Sequence, residues 1–98
     1  MKIETQNRFS SAMKSVFDEI ERQDEKFGKD RDNHPLVWGS ILTEEVGEMS
    51  AEINDANFQT ENLTENYRAE WVQIVAVGLQ AIRHFDRFKN GEIQMKGQ

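Results

Sequence analysis

Residues 67–85 read YRAEWVQIVAVGLQAIRHF. Tyr67, Trp71, Ile74, Val75, Gly78, Ile82 and Phe85 recur at steps of three and four, the period of one face of an α-helix. No strand-like alternation of apolar and polar residues competes with that period, and no hairpin turn signal interrupts it. Val72 and Leu79 point well away from Tyr67 and Ile74, so the helix is apolar on more than one side and wants neighbours on more than one side. Asn90-Gly91, residues that tolerate left-handed backbone, predict its end, and Thr60 followed by Glu61 predicts its start.

Upstream, the same period recurs twice. Trp38, Ile41, Leu42, Val46, Met49 and Ile53 predict a helix from about Pro35 to Ile53, with the chain's one proline in the first turn, where a missing N–H costs nothing. Phe9, Met13, Val16, Phe17, Ile20 and Phe27 predict another from about Ser10 to Lys26, and the polar stretch 28–33 between the two is a loop. The expected fold class is therefore all-α, a helical bundle of about three main helices in a single domain over 1–98, with 1–9 and 91–98 as mobile tails. Leu, Ile, Val and Phe number only 23 of the 98 residues, a thin core for a lone monomer. Completion of the bundle by oligomerisation, as a homodimer or homotetramer, is the expectation.

Composition narrows the function classes. The chain has 18 acidic and 12 basic residues and a formal charge of −6; between Ser40 and Glu70 there are eight acids and one base, Arg68. Such a surface repels a nucleic-acid backbone, which excludes a nucleic acid polymer as partner, and any phosphorylated ligand must arrive with cations. Without cysteine there are no disulfides and no sulfur-ligated zinc. The opening residues lack the apolar run of a secretory signal, and the longest uncharged run, Trp71 to Ile82, falls short of the roughly 20 residues that cross a bilayer. The expectation is a cytoplasmic protein with no membrane partner.

The carboxylates carry the chemistry. Glu44-Glu45-Val46-Gly47-Glu48 lies in the second helix and Glu70-Trp71-Val72-Gln73 in the third. Glu45 sits four residues after Ile41 and four before Met49, at the edge of the apolar stripe, with Glu48 one turn on; Glu70 is three after Tyr67 and four before Ile74. Glutamates at such positions lose water, at a cost of several kcal/mol each unless paired or metal-bound. The second helix contains no base. Pairs at i, i+3 on adjacent antiparallel helices converge on one point, as in carboxylate bundles that hold metals, and Mg²⁺ is the hard cation that oxygen ligands favour. A solvated glutamate-rich face is the commoner fate of such residues, and spacing alone leaves both readings open.

With these residues in place the sequence resembles the MazG-like nucleoside triphosphate pyrophosphohydrolases of the all-α pyrophosphatase superfamily, in particular the small phage-type members. The family pattern is E-E-x-x-E followed by E-x-x-D on two helices; here Glu44-Glu45-x-x-Glu48 is followed after 21 residues by Glu70-x-x-Gln73. Glu21 to Gly28 and Val75-Ala76-Val77 are also similar, so the resemblance spans about Val16 to Phe85. It implies Mg²⁺-dependent cleavage of a ribo- or deoxyribonucleoside triphosphate to a monophosphate and pyrophosphate, with Mn²⁺ able to substitute. It further implies Glu45, Glu48 and Glu70 as metal ligands, Gln73 as a weaker ligand or water-holder in place of the family's aspartate, and Glu44 and Glu45 as the catalytic pair, with Glu44, pointing farther out, orienting water or supporting the ligands. Arg22, Lys26, His34 and Trp38 are the substrate-binding candidates, with Lys29 beside them. Each has a plainer reading: an aromatic on an apolar stripe is more often core, late basic residues oppose a helix dipole, and a loop histidine is more often surface. His84 has no assigned role. Gln73 carries no charge, and the rival reading is a catalytically degenerate MazG-like helical interaction protein that keeps the acidic bundle for docking.

Overall fold

The computed structural model describes residues 1–94, so positions 95–98 of the expected C-terminal tail lie outside the described residues. Three long helices, α1 (Ile3–Phe27), α2 (Pro35–Asp55) and α3 (Glu65–Lys89), are joined by the loop 28–34 and by a single 3-10 turn at Thr60–Asn62. No strand occurs among the described residues, in keeping with the all-α expectation.

Local chemistry sets the boundaries. Pro35 opens α2 and the His34 side chain caps it, Nδ1 accepting from the Leu36 N–H at 3.0 Å. After Ala56 the Asn57 N–H donates to the Asn54 carbonyl and the Phe58 N–H to the Ile53 carbonyl, with Asn57 at φ 55°: the paired bonds that close a helix through a left-handed residue. α3 ends in the same way, Gly91 at φ 76° donating to Phe88 and Glu92 donating to Arg87. Its start differs from the expectation at Thr60, because Thr64 is the residue whose hydroxyl accepts from a helix N–H, that of Asn66, at 3.2 Å. α1 starts at Ile3, ahead of the expected Ser10. Lys2 precedes it without a side-chain cap, which is why no sequence signal marks that end.

α3 is the middle helix. It packs against α1 on one flank and α2 on the other, while no Cα of α1 lies within 8 Å of one in α2 among the described residues. Contacts that climb together show α1 running parallel to α3: Arg68 to the Ser15 hydroxyl at 3.1 Å, Gln80 to Gln23 at 2.9 Å. α2 returns antiparallel, so that Trp38 near its start meets His84 near the end of α3, with ring centroids 6.3 Å apart.

The core consists of Val16, Trp38, Ala56, Ala76, Val77 and His84. On α3 this differs from the regular apolar stripe. Ala76 and Val77 face inward because small side chains let two helices approach at once, whereas Trp71, Val75, Ile82 and Phe85 are 42%, 40%, 60% and 52% exposed. A middle helix covered on two flanks keeps a third side free. The result is a slab of 47 × 34 × 23 Å with a radius of gyration of 15.6 Å, where a closed globule of this length has about 13 Å. No helix among the described residues is long and apolar enough to cross a membrane.

Candidate metal centre

Glu45 and Glu48, one turn apart on α2, meet Glu70 of α3 across the helix pair. One carboxylate oxygen from each lies within 4.8 Å of the other two. Glu45 and Glu70 are half-buried and Glu48 is exposed, so the cluster opens to water at one edge. Glu45 reaches this position because it follows Ile41 by four residues and precedes Met49 by four, and both of those side chains are turned partly inward.

The electrostatics of the cluster are those of a site short of positive charge. Loss of water raises the Glu45 carboxyl to about 7, and the neighbouring charges of Glu48 and then Glu70 add to the effect. Glu70 is raised by the same loss of water and by the Glu48 charge. One oxygen of each, Oε2, is buried with no hydrogen-bond partner. The ion pairs of the described residues, on Glu4, Asp18, Glu19, Asp30 and Asp32, all lie elsewhere. Two orphaned carboxylate oxygens beside a third carboxylate, with no ion pair to any of the three among the described residues, form a hard-oxygen donor set that fits a divalent cation. Gln73 is half-buried one turn beyond Glu70, while Glu44 is exposed on the outer side of α2, beside Ser40 and Thr43 on a shallow open surface.

Two turns before Glu45 on α2, about 10 Å by helical rise, Trp38 forms part of the wall of a cavity of about 460 Å³ between α1, α3 and the loop 28–34. Its apolar wall is Phe17, Ile20, Trp38 and Leu79; Lys29, Arg31, Arg83 and Arg87 place positive charge around it against Asp24 and Asp30. Arg31 holds the loop in place, donating to Gln23 at 3.2 Å and Gln80 at 3.0 Å with its guanidinium 5.0 Å from the Phe27 ring centre. Arg83 grips Asp30 through two bonds of 2.6 and 2.9 Å, and this guanidinium holds the Asp30 carboxyl below its usual range. Trp38 Nε1 and His84 Nε2 are buried without partners.

Of the residues expected to bind substrate, the structure brings Trp38 and Lys29 to this cavity. Arg22 instead pairs with Glu19 on its own helix at 2.7 and 3.0 Å, Lys26 lies 5.1 Å over the Phe27 ring, and His34 is occupied as the cap of α2. Sequence reasoning missed Arg31, Gln80, Arg83, His84 and Arg87, which the parallel packing of α1 on α3 gathers from segments about 50 residues apart. The one available signal was the concentration of basic residues late in α3, which reads equally well as dipole compensation. Comparison with protein-family models, with characterised proteins and with solved structures returns no match.

Proposed function

We propose that the protein is a Mg²⁺-dependent nucleoside triphosphate pyrophosphohydrolase, a MazG-like enzyme that cleaves a ribo- or deoxyribonucleoside triphosphate to the monophosphate and pyrophosphate. The observation that carries this reading is the convergence of Glu45, Glu48 and Glu70 with two buried carboxylate oxygens left unpartnered. Glu45, Glu48 and Glu70 would hold the cation, with Gln73 adding a neutral oxygen one turn on. A bound divalent cation supplies neutralisation of phosphate charge and a water of lowered pKa.

The chain's own residues do the rest. Burial raises the cation-free Glu45 carboxyl to about 7, so near neutrality it would give up its proton as the cation binds and serve there as a ligand. Glu44, exposed and next to Glu45 in the chain, would orient the attacking water or support the ligands from outside. Trp38, in the cavity wall two turns away, offers an aromatic surface for a base, and Lys29 and Arg31 at the same cavity offset the charge of an incoming polyphosphate. The open slab is completed by a second copy, so the working form is a homo-oligomer in the cytoplasm.

The test is a panel of all ribo- and deoxyribonucleoside triphosphates with Mg²⁺ or Mn²⁺, read by release of pyrophosphate against orthophosphate. Pyrophosphate release that Glu48→Gln abolishes is the expected result. A protein that binds the cation but releases pyrophosphate from no triphosphate would be a docking bundle instead.

A further inference from the structure

Arg83 and Arg87, one turn apart on α3, both line the cavity between α1, α3 and the loop 28–34, and that same short loop supplies the partners of both. Arg83 donates to both carboxylate oxygens of Asp30, and Arg87 to one oxygen of Asp32 at 2.8 Å. Two aspartates at alternate positions thus set two negative charges on two guanidiniums of one cavity. The carboxylate cluster lies elsewhere, since Arg83 follows Glu70 by thirteen residues of α3, about 20 Å by helical rise.

These ion pairs are built for exchange. Asp30 reaches Arg83 with its backbone at φ 52°, in the left-handed region that side chains disfavour, and Gly28 two residues earlier is at φ 88°. The loop is bent against its local preference, and its bonds to α3 offset that cost. The Arg83 side chain is 62% exposed, so its pair is of the solvent-reached kind that contributes little. An anion that made better bonds to both arginines would displace the aspartates cheaply.

The cavity specifies the anion. A phosphate dianion gathers the two charges of Asp30 and Asp32 into one group, and its three oxygens can accept from both guanidinium forks, whereas the two oxygens of one carboxylate serve a single fork, as Asp30 does. The volume of about 460 Å³ is that of a small-molecule site. Its apolar wall of Phe17, Ile20, Trp38 and Leu79 suits a flat ring. Lys29, in no ion pair among the described residues, lines the same cavity opposite in charge to Asp24.

We infer that the cavity binds an aromatic phosphate of the size of a nucleoside monophosphate, ring against the apolar wall and phosphate on Arg83 and Arg87, and that Asp30 and Asp32 are the internal carboxylates it displaces. Such a ligand shares Trp38 with the base of the proposed substrate, so it would inhibit turnover competitively. That consequence rests on the pyrophosphohydrolase reading; the binding itself needs no cation. The test adds uridine monophosphate, uridine or inorganic phosphate to the protein with chelator present and follows the Trp38 indole N–H by NMR, assigned with Trp71→Phe because the chain has two tryptophans. The monophosphate should shift that signal and bind at least about tenfold more tightly than either of its halves. Arg83→Gln and Arg87→Gln should each weaken binding by about tenfold, and Asp30→Asn and Asp32→Asn, which remove the internal competitor, should each tighten it by about threefold. Arg8→Gln, on an exposed pair near the start of α1, should change nothing. Binding that ignores both arginine variants, or that weakens in the aspartate variants while their circular dichroism is unchanged, would overturn the inference. Binding seen only after Mg²⁺ is added would also overturn it and place the phosphate at the carboxylate cluster. Triphosphate turnover without monophosphate binding would remove this site and leave the proposed function standing, whereas arginine-dependent binding in a protein that releases no pyrophosphate would do the reverse.

Discussion

Replacing Glu45 by glutamine should make the cation-free protein more stable at neutral pH and largely insensitive to magnesium. In the wild type, the Glu45 carboxyl rises from 4.5 to about 7 on folding. Between those values the folded state holds a proton that the unfolded state has released, so stability falls as pH rises through this window and levels off above it. The shift corresponds to about 3.4 kcal/mol for a fully desolvated group; because Glu45 is only half-buried, screening reduces this to about 1 kcal/mol. For a domain of this size that is about 4–8 °C in Tm. A divalent cation needs the carboxylate ionised, so its affinity should drop up to about tenfold per pH unit below 7, and at about ten times Kd it should restore about 1.4 kcal/mol. The assay is thermal unfolding followed by circular dichroism from about pH 5 to about pH 8, with chelator and with Mg²⁺ or Mn²⁺, a range that stays above the window of the ordinary carboxylates. Glu45→Gln should flatten the pH dependence, raise Tm at the alkaline end and lose most of the metal-induced gain. A wild type that grows more stable from pH 5 to 7, or a variant that keeps the full metal response, would refute the idea of a desolvated cation site at Glu45.

Gln73→Asp should add a fourth negative charge beside the cluster and lower the Mg²⁺ concentration needed for triphosphate hydrolysis by about tenfold, or about 1.4 kcal/mol. Glu70→Gln should act in the opposite sense and nearly abolish pyrophosphate release, and intact turnover in that variant would remove α3 from the site. Trp38→Ala should cost about 3–5 kcal/mol by opening a cavity under the α2–α3 contact, as read by denaturant unfolding. Trp38→Phe should keep the fold and remove an orphaned indole N–H, so a weakened nucleotide KM without loss of stability would assign the ring to base binding. Asp30 titrates below its ordinary 3.8 because Arg83 grips it, so this ion pair contributes stability above that pH that is lost as pH falls through the lowered value. Arg83→Gln should remove that acid-limb dependence, which pH titration of unfolding would detect.

The helices were legible in the sequence because their signals are local. A period of three and four residues, a proline at an N-terminus, Gly91 past a C-terminus and the absence of strand alternation are fixed by the backbone of each segment and need no partner. The i, i+3 spacing of Glu45 and Glu48 belongs to the same class, since it places both carboxylates on one side of α2 wherever that helix packs. The sequence could not decide which side of α3 is the inner one. Trp71, Ile82 and Phe85 make the stronger stripe, yet Ala76 and Val77 are buried, because a helix flanked by two others gains most from small side chains that permit close approach on both flanks, and His84 is buried beside the Trp38 ring of α2. Tertiary structure likewise decided which charges meet. Arg31 reaches Gln80, and Arg83 reaches Asp30, across about 50 residues of chain only because α1 runs parallel to α3. His34, a plausible ligand contact in isolation, is taken up by the Leu36 N–H. Periodicity records the propensity of one helix, whereas the choice of buried face and of ionic partner depends on the free energy of the whole packed arrangement, to which distant segments contribute as much as neighbours do.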